Sequence, residues 1–558
     1  MTRARLGALA AVLVSMIVLP AVAALAQEGD RRALVVEVPQ ASLEELMNVP
    51  EVQALARSGG AGLLVPQLGR RNLVYGQSLP DEVGGSMILR IGLPDLGRWL
   101  DRLVPTSGGD EQLIIVAGVD PRSPAMRADK DGLFGIVMAS GEPDLLPAEG
   151  PPGSLTSDST HRKGVVTDLD VAPTVLDFLD IGYDVVGSPI EIIPGPPPFE
   201  LHERYLAQRR MYVPIGTAGA IYLAIAGLGA IAMLALGSRI PRDVRRIFGW
   251  ACLSVAALAT SLLAAGHLLD LTYATVVPFV ALVTVFGTLA FAPLEHRDVL
   301  LIPAGIGIAV LAYFAVEAIL AWTATLTPFV GGSELDGGRF YGLPNAFIGL
   351  LIGASLWIAQ RLRTLAGFGL LVAVALFAGL PYLGANLGGA VSLFAAAGLW
   401  LAIRERERLG VWKGIGVVVA VTVLGNAVIL AAHAISPFET HVSRFEERAT
   451  GLAGVLERIG DRFQVGFDLI AWNPFALIPV IGLPIAIAAV LRPPAALRPS
   501  LRRSPAWRDA ILVTLLAGAV AYLANDSGPA AAGFAFGLGL GGLLGVSLLS
   551  EAGKMGEP

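Results

Sequence analysis

The sequence contains little charge, few histidines and almost no cysteine. Charged residues make up 15% of its 558 residues, against roughly 25% in a soluble domain. This low charge argues against a purely soluble enzyme or a disordered chain. The single cysteine, Cys252, excludes a disulfide framework and a thiolate metal cluster. A formal net charge of −6 provides no basic surface, so we expect no nucleic-acid partner.

What the sequence has instead is apolar residues, which account for 54% of it and are unevenly distributed. From residue 211 onward, about eleven apolar runs are long enough to cross a bilayer. We therefore predict a multi-pass α-helical membrane protein with an N-terminal α/β domain. The predicted membrane region is 211–550, and its runs are 211–237, 247–268, 271–292, 299–324, 343–360, 365–383, 387–403, 411–434, 467–491, 509–524 and 528–549.

The N-terminus has the three-part layout of a secretory signal peptide. Arg3 and Arg5 precede a long apolar run, and small residues stand before Gln27. Cleavage after Ala26 is the prediction, and an uncleaved anchor helix is the alternative because the run is long. Either outcome carries the following segment across the membrane.

Residues 27–186 are predicted to form an extracytoplasmic α/β domain, because β-branched runs alternate with helical stretches. A capping box, Ser42 and Glu45, opens a helix expected to reach Arg57. The alternation predicts a mostly parallel sheet covered on both faces. The strand candidates are 33–38, 61–65, 86–91, 112–116 and 133–138, and the other helix candidates are 94–103 and 170–179.

A proline-rich segment, 187–210, is predicted to be a stiff linker into the membrane. The distribution of lysine and arginine then predicts the orientation of the chain in the membrane, because cytoplasmic loops are rich in these residues. Placing Met211 outside puts nearly all basic residues of the membrane region in inner loops, with Arg204, Arg209 and Arg210 as exceptions. We expect a bacterial cytoplasmic-membrane protein whose C-terminal tail, 551–558, is cytoplasmic.

Residues 159–179 carry the phrase Thr-Asp-Leu-Asp-Val-Ala-Pro-Thr at 167–174. This segment resembles the late strand-to-helix segment of the alkaline phosphatase and sulfatase superfamily, and the segment 34–46 is similar to that family's first strand and helix. The resemblance implies a reduced phosphatase-like fold. It also implies a site of two divalent ions held by Asp and His beside a Ser or Thr nucleophile.

The departures from the family pattern are more informative than the match. Glu37 is the nearest carboxylate to the end of the first strand, where the family has a metal-binding Asp, and Ser78 is only a candidate nucleophile. The remaining candidates do not assemble a family-type metal site, and Asp170 is expected to cap a helix. We therefore predict a catalytically degenerate domain with no cofactor. A divalent metal is expected only if the alternative, an active enzyme, is correct. These remaining candidates are Asp120, His161, Asp168 and Asp170.

Polar side chains in the membrane region gather at the predicted outer ends of the helices. Because polar groups are costly in lipid, they are candidates for a binding pocket. Arg339 is expected to bind an anionic headgroup, and Glu317 or His433 to relay a proton. The alternative is that the asparagines cap helices. The candidate residues are Glu317, Arg339, Tyr341, Asn345, Asn386, His433, Asn525 and Asp526.

The segment 338–345, Gly-Arg-Phe-Tyr-Gly-Leu-Pro-Asn, resembles a phrase of bacterial membrane proteins of unknown role with a reduced phosphatase-like domain. The predicted function is to bind or move an anionic lipid or a lipid-linked sugar, an envelope precursor, through an outward-facing polar pocket. The alternative is an active metal-dependent phospho-group transferase, because the layout of the chain is similar to that of the ethanolamine-phosphate transferases. An ion-coupled transporter needs inverted repeats, which the sequence does not display. Protein partners and substrate identity stay open.

Overall fold

The protein is described by a computed structural model over residues 31–65, 86–103, 111–119, 134–141, 152–182, 187–320, 329, 340–436, 477–525 and 528–554. The predicted signal peptide, Ser78, Asp120, Arg339 and Asp526 lie outside these residues. The chain divides into two compact units. The sheet unit is Met1–Glu203 with Leu335–Phe340, and the helical unit is Arg204–Glu334 with Tyr341–Pro558.

The sheet unit contains one mixed sheet with the strand order β3-β1-β4-β5-β2-β6-β8, in which β7 pairs with β2. Its strands are β1 (Arg31–Pro39), β2 (Gly60–Val65), β3 (Ser86–Arg90), β4 (Glu111–Val119), β5 (Phe134–Gly141), β6 (Gly153–Ser157), β7 (Val165–Thr167) and β8 (Ile190–Ile193). Its helices are α1 (Leu43–Met47), α2 (Pro50–Ser58), α3 (Leu96–Leu103) and α4 (Val171–Phe178).

The sheet is less parallel than predicted. β1 runs parallel to β3 and β4, and β2 runs parallel to β6 and β7, but β5 is antiparallel to both its neighbours and β8 is antiparallel to β6. The prediction that helices cover both faces is confirmed. Gly135 of β5 lies against Leu43 of α1, whereas the next residue, Ile136, clusters with Val171 and Val175 of α4. Neighbouring residues of a strand point to opposite faces, so each face has a helix.

Proline explains two differences from the predicted elements. The helix expected over 42–57 is broken into α1 and α2, because Pro50 cannot continue a helix from the residue before it. The segment 187–210, expected to be a linker, contains the strand β8, where isoleucines favour an extended backbone between the prolines. The capping box of Ser42 and Glu45 is confirmed.

The described residues of the helical unit are mostly helical. Its helices are α5 (Phe199–Leu236, whose first residues belong to the sheet unit), α6 (Arg242–Leu253), α7 (Val255–Ala264), α8 (Tyr273–Leu289), α9 (Leu301–Ile319), α10 (Ile348–Ala359), α11 (Thr364–Gly379), α12 (Leu387–Arg404), α13 (Arg406–Ala434), α14 (Leu477–Leu491), α15 (Arg498–Arg503), α16 (Pro505–Ala524) and α17 (Gly528–Lys554). Every predicted apolar run contains one of these helices.

Among the described residues, seven helices are long and apolar enough to cross a membrane, and the bent pair α6–α7 makes eight if it counts as one span. The predicted count of about eleven includes three shorter apolar helices, α10, α11 and α14. Large apolar side chains remain exposed on the helical unit, including Leu228 (69%), Phe286 (66%) and Leu424 (67%). Exposure of this kind is typical of a surface that faces lipid, because soluble proteins rarely expose contiguous apolar patches.

Glycines allow close contact between the central helices. A Cβ on Gly349 of α10 would lie 1.9 Å from the carbonyl oxygen of Ala531 in α17. Gly541 of α17 allows a similar contact, because a Cβ there would lie 2.6 Å from the Cys252 carbonyl oxygen. Small residues thus bring backbones together, as in other membrane helices.

Candidate functional site

The two ends of the helical unit differ in their polar chemistry. At one end, arginines pair with carboxylates across helices: Arg246 with Glu295 (2.9 Å), Arg361 with Asp298 (2.7 Å), and Arg404 with Asp509 (3.2 Å). We call this the ion-paired end. The other end, which we call the polar end, contains the described candidates Glu317, Tyr341, Asn345, Asn386, His433 and Asn525.

Glu317 is fully buried near the C-terminal end of α9. Tyr313, one turn earlier on the same helix, donates a hydrogen bond from its hydroxyl to Oε1 of Glu317 at 2.9 Å. His267, which ends the short turn after α7, contacts the same oxygen through Nε2. The second oxygen of Glu317, Oε2, is buried without a hydrogen-bond partner among the described residues. We call Glu317, Tyr313 and His267 the carboxylate triad.

Sequence reasoning selected Glu317 but missed its two partners. His267 is not among the candidates selected from the sequence, and its side chain is 33% exposed while it contacts the buried carboxylate. The predicted membrane spans already indicated that these residues could be neighbours. His267 lies near the end of the second predicted run and Glu317 near the end of the fourth, and alternate spans end on the same side of the membrane. Tyr313 lies four residues before Glu317, the helical spacing that brings side chains together.

Arg204 supports the turn that carries His267. Its guanidinium donates to the carbonyl oxygens of Gly266 (2.8 Å) and Leu269 (3.4 Å). Carbonyls at the end of a helix lack partners within the helix, so an arginine there stabilises the end. Arg209, another exception to the charge rule, donates to the Tyr205 hydroxyl at 2.8 Å. These local contacts give two of the exceptional arginines a structural role.

Asn386 is the centre of a second polar group. Its amide nitrogen donates to the carbonyl oxygen of Leu343 (2.7 Å) and to Oδ1 of Asn345 (2.9 Å). Its own oxygen accepts from the backbone nitrogen of Gly389 at 2.7 Å, which makes Asn386 the N-cap of α12. The structure therefore brings Asn345 and Asn386 together, and it also confirms the capping alternative for Asn386.

Asn525 lies at the end of α16 and is 3% exposed. Its amide nitrogen donates to the carbonyl oxygen of Ala521 (2.9 Å) and to the hydroxyl of Ser392 (3.2 Å). Because the Ala521 carbonyl can only accept, the nitrogen must face it, and this settles the orientation of the amide. Oδ1 of Asn525 is consequently a buried acceptor that has no donor among the described residues.

The other two described candidates have different surroundings. His433 is buried at the end of α13 and places Nε2 2.9 Å from the carbonyl oxygen of Gly379, at the end of α11. The His433 ring therefore contacts the end of α11, and this contact is separate from the carboxylate triad. Tyr341 is 9% exposed. Arg339 and Asp526 stay sequence-based candidates.

Three aromatic rings connect helices next to these polar groups. The ring of Phe314, three residues before Glu317, lies 5.9 Å from that of Phe347, two residues after Asn345. The Phe347 ring lies 6.0 Å from that of Phe534 in α17. Such contacts hold α9, the start of α10 and α17 in a fixed arrangement beside the polar side chains.

In the sheet unit, the described residues do not fit the metal site that the family resemblance implies. Glu37, at the carboxyl end of β1, is 2% exposed and pairs with Arg90 of β3 at 2.6 Å. An arginine on this carboxylate supplies the positive charge that a metal would otherwise bring. No group of three His, Cys, Asp or Glu side chains with metal-binding geometry occurs within the described ranges.

Asp170 is also engaged in structure. Its carboxylate accepts from the Ser157 hydroxyl (2.7 Å) and from the backbone nitrogens of Thr167 (2.8 Å) and Ser188 (3.1 Å). Asp170 stands at the predicted N-cap position of α4 but makes no side-chain capping bond to that helix. Its bond from the Thr167 backbone nitrogen instead caps the short 3-10 turn Asp168–Asp170 that leads into α4. His161, the nearby histidine, lies 3.8 Å from Asp158.

Comparison of the chain with protein-family models, with curated proteins and with solved structures gave no match.

Proposed function

We propose that the chain is an integral membrane protein whose helical unit binds the headgroup of an anionic lipid or a lipid-linked sugar at the polar end. The single observation that supports this is the burial, at that end, of two acceptor oxygens without donors: Oε2 of Glu317 and Oδ1 of Asn525. A buried acceptor left without a donor costs about 1–3 kcal/mol. A ligand that supplies hydroxyl groups removes this cost.

The acceptors favour one ligand class over the other. A phosphate headgroup brings acceptors of its own and leaves the two buried oxygens without donors, whereas sugar hydroxyls can donate to them. We therefore favour a lipid-linked sugar. Arg339, from its place in the sequence, is the candidate for the phosphate that joins sugar to lipid.

The proposed orientation puts the polar end outside the cytoplasm. The arginines of the ion-paired end, including Arg246, Arg361 and Arg404, belong in cytoplasmic loops under the positive-inside rule. The sheet unit would then be extracytoplasmic. We propose that it is a non-catalytic relative of the phosphatase fold, because Glu37 and Asp170 are committed to structural contacts.

The test is the identity and amount of lipid that stays bound to the full chain after purification in mild detergent, measured by mass spectrometry. Asn525→Leu removes one unpaired acceptor with little change in volume. We expect about tenfold less retained ligand, since one lost hydrogen bond of about 1.4 kcal/mol changes affinity tenfold.

The matched control is Ser500→Ala. Ser500 is buried and hydrogen-bonded to Ser547 at 2.6 Å, away from the polar end. The Ser500→Ala variant should retain as much lipid as the unmodified chain. Equal retention by Asn525→Leu and the unmodified chain, or the recovery of bulk phospholipid alone, would contradict the proposal.

A further inference from the structure

The carboxylate triad has a feature that lipid binding does not require: its buried carboxylate is connected to a partly exposed base. Glu317 is 0% exposed, whereas the His267 side chain is 33% exposed. Tyr313 and His267 both contact Oε1, while Oε2 has no donor. Two partners on one oxygen and none on the other leave both lone-pair positions of Oε2 vacant in a buried, apolar setting.

In such a setting the net charge of the triad is strongly constrained. A charge taken from water into an apolar interior is costly unless it is paired, so the triad with one shared proton between His267 and Glu317 is neutral and favourable. An additional proton can bond only where an oxygen lone pair is vacant, and Oε2 of Glu317 is that atom.

We propose that His267, Glu317 and Tyr313 form a proton-binding site, in which Oε2 of Glu317 takes up one proton that enters through His267. His267 passes its Nε2 proton to Oε1, the oxygen that it contacts, and is reprotonated at Nε2 by a hydronium ion, which leaves as water. Rotation of the carboxyl group then places the new O–H at the position of Oε2, and the other oxygen accepts from Tyr313. The triad thereby changes from neutral to singly positive, with the positive charge on the imidazolium of His267, whose side chain is 33% exposed.

The described elements around the triad carry few other titratable groups. Helix α7 and its terminal turn contribute His267 as their titratable group, and α10 contributes none. The turn Ala292–His296, which packs against the opposite end of α9, carries Glu295 and His296, and Glu295 is paired with Arg246. The loop after His267 carries Asp270, whose carboxylate accepts from the Thr272 hydroxyl and whose backbone carbonyl accepts from the Thr275 hydroxyl. Arg204 of α5 donates to the Gly266 carbonyl oxygen of the turn that ends at His267.

The test is infrared difference spectroscopy of the full chain in nanodiscs of zwitterionic phosphatidylcholine. The pH is lowered from about 8 to about 5, the range in which histidine changes its charge. We expect a carboxylic-acid C=O band to grow as the pH falls and to shift in heavy water. Glu317→Gln should abolish that band, and the matched variant Glu295→Gln should leave it unchanged.

Two further variants keep the carboxylate and so do not depend on the folding of Glu317→Gln. Tyr313→Phe removes one hydrogen bond to Oε1 and should shift the frequency of the band. His267→Gln removes the entry point and should move the midpoint of the titration. A purely structural role for the triad would change neither quantity.

A Glu317 carboxyl group that stays in one protonation state across this pH range would overturn the inference, whichever state it is. So would a band that is the same in Tyr313→Phe and His267→Gln as in the unmodified chain. Lipid retention by Asn525→Leu is a separate measurement, so either proposal can fail without the other.

Discussion

The carboxylate of Asp170 accepts three hydrogen bonds while 0% of the residue is exposed. Its donors come from β6, from the end of β7 and from Ser188 before β8, so one side chain joins three segments of the sheet unit. A carboxylate held by several donors is fixed in position by them. The lone pairs of Asp170 that accept these hydrogen bonds are therefore used in structural contacts.

We expect Asp170→Ala to destabilise the sheet unit by about 3 kcal/mol, because it leaves buried donors unsatisfied. Chemical unfolding of the full chain, followed by a probe in the sheet unit, measures this. Asp177→Ala, at an exposed position of α4, is the control and should change stability by less than about 0.5 kcal/mol. Loss of stability on chelation of divalent ions would contradict the structural role.

Polar residues of the helical unit were partly predictable one at a time. Glu317 stands out in the sequence because it interrupts an apolar run, and Asn386 because it lies in the short connection between two such runs. His267 and Tyr313 do not stand out, because histidine and tyrosine are ordinary at a membrane interface. The sequence could not reveal that the candidates form separate groups around Glu317, Asn386 and Asn525, since that depends on which helix ends are neighbours.

Among the structural elements, most helices and five strands, including the edge strand β3, were predictable, whereas β6, β7 and β8 were not. Runs such as 33–38 and 112–116 are rich in β-branched residues and form β1 and β4. β8 was missed because its isoleucines lie among prolines, and β7 because it has only three residues. In the helical unit, the run predicted to begin at residue 411 follows Gly410, whose φ of +64° breaks α13.

Gly349 tests the packing of the central helices. Its replacement by alanine puts a methyl group 1.9 Å from the Ala531 carbonyl oxygen, so α10 and α17 must separate. We expect a loss of about 1–3 kcal/mol of stability, measured by thermal unfolding in detergent. Gly369→Ala is the matched control, because nothing lies within 4 Å of its added Cβ. It should be neutral or slightly stabilising, and equal behaviour of the two variants would refute the close packing.

For the whole molecule, the most informative property is the difference between the two ends of the helical unit. Ion pairs such as Arg245–Glu551 and Arg361–Asp298 lie at one end, and the carboxylate triad and the asparagine groups lie at the other. The charge pattern of the sequence predicted this asymmetry before any contact was known. It did not predict the number of full-length spans, because the lengths of α10, α11 and α14 depend on where each helix ends.

The most direct test of the account is the side of the membrane on which each end lies, because the proposed exterior pocket depends on it. Alkaline phosphatase, which is active only outside the cytoplasm, can be fused after Leu201 and, in a second chain, after Glu407. We predict an active reporter at Leu201 and an inactive reporter at Glu407. Activity at Glu407 together with a cytosolic, inactive fusion at Leu201 would contradict the orientation and the pocket with it.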